Sequence, residues 1–571
     1  MPVSNSSLVI EVNAPRSPTT HDPHLDRWQT PTVLHKYLVA TYPDVSRNES
    51  GGSEDGSSER EAVDLLTTTI KGYEGFGSFH SQNVEELVAL PDDKYVAPAW
   101  PKLQWMCPRH HDHHIELSHA IYHPNAIISA SGKVWDIATL PADSAQTEFG
   151  QPFLQEHFMI AKDFVFINHG AFGGSLLGAQ SLKEHMDRYM ESQILRFYDR
   201  ELLPLIVYVV RALSKFIHCN PKNLVLVQNA TSGLNAAIRH LIKPNDVVAY
   251  LDTEYLSVYK MAYIRAQEVG ATLHEIPLNM HLHDDALLSD DDALTKHIVS
   301  HLPPGCTTAI IDFVTSTTAM LMPTFTHLVP ALRAAGVKRV IVDGAHTSLQ
   351  VPLDFNALPV VCQPDAFVGN LHKWFSCPKA AAFMWIKDEN IRVIEPAVIS
   401  HGAREGLLSS FIWDGTRDYS AYLTIPAIIH FWELQGLDRV REYCSTLLRD
   451  AVTMLTTAFQ TRRIARHAPF MSLVELPEAL QGRRDASKYV QDVLHTQYRI
   501  EVPVKQIEST LYLRISVFVY NEPAHYAFLR DAILDFVERI RKRPRDDGTP
   551  CPTQHVGGCG VTASQTKMAG F

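Results

Sequence analysis

The stretches RVIVDGAH (339–346) and DAFVGNLHKW (365–374) decide the fold prediction for this chain. Each contains a short apolar run, partly β-branched, that is followed by polar residues. Runs that are apolar on both faces are typical of buried parallel strands. Similar runs lie upstream, separated by helical patterns, at NLVLVQ (223–228), DVVAYL (246–251) and TTAIIDFV (307–314). The region from about 150 to 395 is therefore predicted to be an α/β layer structure with crossover helices.

The same two stretches carry a candidate site. Asp343 ends one predicted strand and Lys373 lies just beyond the other. Ligands of open α/β sheets bind outside the carboxyl ends of the strands, so both side chains are expected there. Pyridoxal phosphate needs such a pair, because the lysine forms a Schiff base with its aldehyde and the aspartate partners its pyridinium nitrogen. Alone, either residue would more often be an ordinary strand-end carboxylate or a surface lysine.

A second motif, NLVLVQNATSGLNAAIRHL (223–241), reads as strand, tight turn and helix. The turn offers backbone N–H groups and the hydroxyls of Thr231 and Ser232 at a helix N-terminus, which is a phosphate site by geometry and by helix dipole. An ordinary helix N-cap would need only one of these residues. INHGAFGG (167–174) predicts a glycine-rich turn, which is a weaker signal.

Five motifs in this order resemble one family: NHGAFG, NATSGLNA, VDGAH, GNLHKW and WDGTRDYSAYLTIPA. Together they resemble the class V aminotransferase family of fold-type I pyridoxal-phosphate enzymes, over roughly residues 160–540. The match is closest to the isopenicillin N epimerase-like group, which also resembles cysteine desulfurases and the ergothioneine-pathway C–S lyases. The resemblance implies an α/β fold-type I architecture, a pyridoxal 5'-phosphate cofactor, a small amino-acid substrate and a homodimer.

The resemblance also implies roles at the cofactor ring. Lys373 would be the Schiff-base lysine and Asp343 would bind the pyridine nitrogen. His346 would lie near the phenolic oxygen, and Tyr255 falls where relatives stack an aromatic ring or histidine on the cofactor.

Further roles concern the phosphate. Thr231, Ser232 and His372 would bind it within the subunit. Thr416 lies in a segment that resembles the one relatives donate to the neighbouring subunit's phosphate, which implies the homodimer.

On the substrate side, the resemblance assigns Arg514 to the α-carboxylate, a bidentate role that suits guanidinium. Asn168 and His169 would line the same side.

The chain is predicted to comprise five segments: a disordered N-terminal extension (1–61), an extension of unclear structure (62–150), a large cofactor-binding domain (151–395), a small C-terminal α+β domain (396–540) and a disordered tail (541–571). The disorder prediction rests on polar composition, such as the acidic, Gly/Ser-rich stretch at 44–61.

Composition excludes several classes of protein. The 571 residues carry a net charge of −12 without a clustered basic excess, so no nucleic-acid partner is expected. No apolar run is long enough for a membrane span, and the first residues do not form a secretion signal. The eight scattered cysteines fit a reducing compartment, and we therefore expect a cytoplasmic protein.

The cluster CPRHHDHH (107–114) contains one cysteine and four histidines, which are possible zinc ligands. Adjacent histidines cannot all converge on one tetrahedral ion and no CxxC partner lies nearby, so no metal site is predicted.

The reaction is left open between related chemistries. Analogy with C–S lyases favours β-elimination from a cysteine-derived substrate, with isopenicillin N epimerase-like epimerisation as the alternative. A cysteine desulfurase is less expected because no cysteine lies between Cys444 and Arg514 to serve as the nucleophile. Transamination and a non-catalytic scaffold are likewise less expected. The candidate proton donors for elimination are Tyr198, His169 and Tyr255.

Overall fold

A computed structural model describes residues 82–98, 127–128, 134–135, 146–192, 194–482 and 486–542. The prediction of a disordered tail at 541–571 is wrong for its first two residues, because Arg541 and Lys542 end the helix Pro523–Lys542. The rest of that tail, the predicted disordered segment at 1–61 and the histidine cluster at 107–114 lie outside the described residues. So does most of the segment 62–150.

A seven-stranded sheet forms the centre of the described structure. In chain order its strands are β1 (Leu224–Val227), β2 (Val247–Leu251), β3 (Thr272–Ile276), β4 (Thr308–Asp312), β5 (Arg339–Asp343), β6 (Ala366–Asn370) and β7 (Ala382–Ile386). Their spatial order is β1-β7-β6-β5-β4-β2-β3. The five strands predicted from apolar runs are therefore confirmed, and β3 and β7 are additions.

The sheet is parallel from β6 to β3, whereas β7 runs antiparallel to both β1 and β6. The sequence predicts that β1 lies among parallel strands, but its neighbour in the sheet is the antiparallel β7. Every residue of β4, β6 and β7 is buried, because helices cover both faces. This is the predicted fold-type I α/β architecture.

Eight of the described helices are labelled α1 (Gln82–Ala89), α2 (Leu202–Phe216), α3 (Ala230–Leu241), α4 (Leu256–Val269), α5 (Ile425–Gln435), α6 (Leu437–Phe459), α7 (Ala486–Tyr498) and α8 (Pro523–Lys542). Further helices span Gln151–His157, Leu177–Ser192, Asp291–Ser300, Val329–Ala334 and Leu407–Ile412. Among the described helices, none is long and apolar enough to cross a membrane.

A long helical pattern from Leu423 to Phe459 is predicted by the sequence, but the structure divides it. α5 ends at Gln435 and α6 begins at Leu437, with Gly436 between them at φ 81°. Glycine reaches this left-handed region without steric cost, and the chain turns there.

A three-stranded antiparallel sheet follows, formed by β8 (Met471–Glu475), β9 (Val504–Ile507) and β10 (Thr510–Ser516) in the order β8-β10-β9. α6 and α8 pack beside it. The sequence predicts β8, β10 and the final helix α8 as parts of a small C-terminal α+β domain, and β9 is an addition. Because all described residues belong to one compact unit, the boundary at 395/396 stays a prediction.

Candidate active site

Lys373 follows β6 and is the centre of the candidate site. Its Nζ lies 3.0 Å from Nε2 of His346, which follows β5. Burial lowers the pKa of Lys373 to about 8; the charge of Asp343 acts in the opposite direction and that of Arg514 adds to the lowering. A larger share of the amine is therefore neutral and nucleophilic near pH 7 than in a free lysine.

The glycine-rich turn at 167–174 packs directly against the lysine backbone. Gly173 has φ 69°, and a Cβ there would collide with the carbonyl oxygen of His372 and lie 2.7 Å from the Cα of Lys373. Only glycine permits this close approach. In the same turn, Nε2–H of His169 donates to the carbonyl oxygen of Lys373 (3.0 Å). The turn therefore positions the lysine.

Asp343 belongs to a cluster of three buried carboxyl groups. Asp343 ends β5, Asp312 ends the neighbouring β4, and Glu254 follows β2, so the sheet brings all three to one edge. Each has an oxygen within 4.8 Å of the other two. Asp343 Oδ1 accepts the backbone N–H of Ala345 (2.8 Å). One oxygen each of Glu254 and Asp312 has no hydrogen-bond partner among the described residues.

The three carboxyl groups do not ionise alike. Burial raises the pKa of Asp343, but the Ala345 N–H and the charge of Lys373 oppose this. For Glu254, burial and the Asp343 carboxylate hold the pKa well above its usual range. For Asp312, burial and the other two carboxylates do the same. Asp343 therefore ionises first, while its neighbours retain their protons, because like charges at this distance cannot all form.

His346 is fully buried beside the lysine. Burial, followed by the charges of Lys373, Arg514 and His372, holds the pKa of His346 well below its usual range, so the ring is neutral. With Nε2 facing the lysine amine, Nδ1 has no partner among the described residues. This buried nitrogen is available to a ligand.

The predicted phosphate residues meet at the start of α3. The Asn229 side chain caps the helix by accepting the backbone N–H of Ser232 (2.9 Å) and also contacts the Ser232 hydroxyl (3.2 Å). Thr231 is exposed at the helix N-terminus. His372 Nδ1 lies 3.2 Å from the carbonyl oxygen of Ala381, and burial lowers the pKa of His372 to about 4.

Arg514, in β10, is the buried cation of the substrate side. One terminal nitrogen donates to the carbonyl oxygen of Ser316 (2.5 Å), but Nε has no partner among the described residues. Burial lowers its pKa to about 10, and Tyr255 is close enough to interact with its charge. Asn168 contributes a buried amide oxygen that also has no partner in the described structure.

The three candidate proton donors differ in their burial and in their hydrogen bonds. His169 is fully buried with both ring nitrogens engaged, because Tyr520 lies 2.8 Å from its Nδ1; burial lowers the pKa of His169 to about 3. The Tyr198 hydroxyl donates to the carbonyl oxygen of Arg417 (3.1 Å), beside the WDGTRD segment. Tyr255 is half exposed, and no hydrogen bond of its hydroxyl is found among the described residues.

Thr416 is exposed on the loop that follows Trp413, and Asp414 of this loop accepts a hydrogen bond from Gln228 Nε2 (3.3 Å), next to the α3 N-cap residue Asn229. Gly415 has φ 111°, and a Cβ there would meet open space. The role of Thr416 at the phosphate of a partner subunit stays a prediction.

Glu254 and Asp312 were missed by the sequence analysis. Asp312 lies within the quoted run TTAIIDFV, and Glu254 lies three residues after the run DVVAYL. The sequence feature that could have identified them is a carboxylate at or just after the end of each of three strands, which are neighbours in the sheet.

These groups fit pyridoxal phosphate. A buried carboxyl cluster whose lowest-pKa member is Asp343 suits a cationic ring nitrogen, and the buried Lys373 amine suits the aldehyde. The unpartnered His346 Nδ1 suits a ring oxygen, and the α3 N-terminus suits the phosphate.

Comparison with known proteins agrees with this geometry. Residues 206–469 match the family model for class V aminotransferases. An L-cysteine desulfhydrase of Arabidopsis thaliana is 30% identical over 409 residues, covering 65% of this chain and 87% of that protein. The hercynylcysteine sulfoxide lyase of Schizosaccharomyces pombe is 22% identical, covering 67% and 97%. An isopenicillin N epimerase of Amycolatopsis lactamdurans is 23% identical, covering 59% and 86%.

Among solved structures, the cystine C–S lyase C-DES in complex with cysteine persulfide has a TM-score of 0.52 and 19% identity. The match covers 67% of this chain and 98% of that one. At this identity the similarity concerns the fold.

Proposed function

Because this chain belongs to the class V aminotransferase family, whose members use pyridoxal 5'-phosphate, we propose that it is a C–S lyase acting on a cysteine-derived amino acid. The observation that carries the proposal is the buried Lys373 amine, 3.0 Å from a neutral His346, beside the carboxyl cluster and Arg514. The choice of C–S cleavage is supported by relatives named as a desulfhydrase and as a sulfoxide lyase.

Bound at this site, pyridoxal phosphate would supply an electron sink for the negative charge that develops at the substrate α-carbon. Asp343, ionised ahead of its neighbours, would hold the ring nitrogen in its protonated form. His346 Nδ1 would bind the ring oxygen, and Thr231, Ser232 and His372 the phosphate.

Arg514 would bind the substrate α-carboxylate through its free Nε and a terminal nitrogen, which fixes the α-carbon relative to Lys373. The Lys373 amine would then remove the α-proton, a task for which a pKa of about 8 is suited near neutral pH.

Elimination also needs a proton donor at sulfur. As the Cβ–S bond breaks, sulfur leaves with the bonding pair and takes a proton, and the three-carbon remainder is hydrolysed to pyruvate and ammonia. We assign the donor to Tyr255, because its hydroxyl is unengaged in the described structure, whereas both ring nitrogens of His169 and the hydroxyl of Tyr198 are already hydrogen-bonded. Tyr255→Phe should slow pyruvate release about 10²–10⁴-fold, the usual contribution of general acid catalysis.

The lyase and epimerase alternatives are separated by one incubation. The holoenzyme is mixed with a cysteine S-conjugate in heavy water, and pyruvate and recovered substrate are measured. We expect pyruvate, ammonia and a free thiol. Deuterium at the α-carbon of intact substrate with inverted configuration, and no pyruvate, would replace the lyase by the epimerase.

The cofactor assignment is tested by borohydride reduction and peptide mapping. Wild-type protein should carry a reduced pyridoxyl group on Lys373, and Lys373→Ala should carry none and lose about 10³-fold or more in turnover. Lys379, also near the site but bonded to the carbonyl oxygen of Gly173, is the control position. A pyridoxyl group on Lys379 of wild-type protein would contradict the assignment.

Two further features belong to this proposal. A homodimer is supported by the exposed loop around Thr416, which would reach the partner's phosphate. We also propose that the enzyme acts in the cytoplasm, in keeping with its scattered cysteines.

A further inference from the structure

A second cation, Lys505, lies beside Arg514 on one face of the C-terminal sheet. β9 and β10 pair antiparallel, with Lys505 opposite Tyr512. Residues directly opposite share a face, and Arg514, two residues beyond Tyr512, shares it as well. Such diagonal neighbours lie about 7–8 Å apart, which is within reach of two long side chains.

Neither cation has an anionic partner among the described residues. Arg514 is buried and bonds only the carbonyl oxygen of Ser316, with Nε free. Lys505 is largely buried, and in the described part of the chain its ammonium has neither an ion pair nor a hydrogen bond. Burial lowers the pKa of Lys505 to about 8, and the nearby charge of Arg514 adds to this lowering.

Two neighbouring, desolvated cations are unfavourable unless an anion joins them. The substrate α-carboxylate, bound to Arg514, supplies one negative charge. That charge is satisfied by the guanidinium in a bidentate arrangement, which leaves Lys505 without a partner.

We propose that Lys505 binds a second anionic group, carried by the side chain of the amino-acid substrate. The inference rests on the proposed function for the assignment of Arg514 to the α-carboxylate. It defines the substrate class as an amino acid with a distal negative charge, such as a cysteine conjugate whose sulfur substituent ends in a carboxylate.

The binding test uses two ligands that differ by one charge. Glutarate and its monoamide, glutaramate, are titrated into the holoenzyme by calorimetry. Wild-type protein should bind glutarate about tenfold more tightly, as one charge-assisted hydrogen bond permits. Lys505→Met should abolish the difference while retaining glutaramate affinity. Lys505→Arg, which keeps the charge, should retain the preference.

The control is Lys488→Gln, since Lys488 is an exposed lysine paired with Asp492 on α7. It should bind both ligands as wild-type protein does. Equal affinity of wild-type protein for glutarate and glutaramate would overturn the inference, as would a preference that survives in a folded Lys505→Met variant.

A kinetic test then uses S-(2-carboxyethyl)-L-cysteine and its amide, S-(2-carbamoylethyl)-L-cysteine. Wild-type protein should show a KM about tenfold lower for the carboxylate, and Lys505→Met should raise that KM with little change in kcat. If neither conjugate yields pyruvate, the lyase proposal fails, while the glutarate comparison still decides the role of Lys505.

Discussion

The Lys373 amine combines a nucleophile and a base in one buried group, and its titration sets both functions. Burial disfavours the ammonium, so the pKa of about 8 lies well below that of a free lysine. The neutral amine, which reacts with aldehydes, accumulates as pH rises through 8 rather than through about 10.4.

This leads to a prediction for the apoprotein. The rate at which it captures pyridoxal phosphate, followed by absorbance, should rise with pH and level off shortly above 8. A lysine-containing peptide, measured in parallel, should rise up to about pH 10.4. A protein profile that superimposes on that of the peptide would contradict the lowered pKa.

Glu254 gives a second prediction at this scale, on stability. Its folded pKa is raised by burial and by Asp343, so the folded state holds a proton that the unfolded state loses above about pH 4.3. Stability therefore falls as pH rises from that value towards the folded pKa, by about 1.4 kcal/mol per pH unit for one proton.

Glu254→Gln removes this titrating proton. In the apoprotein, the Tm of the variant minus that of wild-type protein should increase progressively from pH 5 to pH 8. Glu268→Gln, an exposed carboxylate on α4, should leave the pH dependence unchanged. Parallel Tm curves for wild-type and Glu254→Gln protein would show that Glu254 is ionised in the fold.

At the scale of elements, Arg211 of α2 joins the segment 82–98 to the central structure. Its guanidinium donates to the carbonyl oxygens of Val88 (3.0 Å) and Leu90 (2.8 Å) at the end of α1, and to the carboxylate of Asp92 (2.6 Å). These carbonyls have no partners within the helix. The arginine is 5% exposed, so water cannot replace it.

Arg211→Ala should cost about 2–4 kcal/mol, because several charge-assisted hydrogen bonds are lost and buried carbonyls are left unpaired. Denaturant unfolding measures this loss, and limited proteolysis should cleave within 82–98. Lys215→Ala is the matched control, since Lys215 also binds Asp92 but is 65% exposed on its side chain; we expect a loss under about 1 kcal/mol. Equal losses in the two variants would refute this account.

At the scale of the whole molecule, the exposed loop at Thr416 is the structural basis for expecting a dimer. If Thr416 reaches the partner's phosphate, Thr416→Ala should weaken cofactor binding about tenfold without dissociating the dimer. Light scattering and cofactor titration measure both properties. Ser445→Ala is the control, because the Ser445 hydroxyl donates to the carbonyl oxygen of Glu442 in its own helix. A monomer that is fully active at nanomolar concentration would contradict the dimer.

The order of motifs along the chain was sufficient to predict five of the seven strands of the central sheet and to place Asp343 and Lys373 at the same edge of it. Buried strands need continuous apolar runs, and their carboxyl ends meet at one edge, so local patterns carry this information. The antiparallel orientation of β7 could not be predicted, because the apolar pattern of a strand does not indicate its direction in the sheet.

Spatial neighbours from distant parts of the chain could be recognised only in the folded structure. Glu254, Asp312 and Asp343 are far apart in sequence, and strand order in the sheet brings their oxygens within 4.8 Å. Burial raises the pKa of all three carboxyl groups, and the Lys373 charge together with the Ala345 N–H favours ionisation of Asp343. Likewise, strand register places Lys505 beside Arg514, since a shift of one residue would turn it to the opposite face.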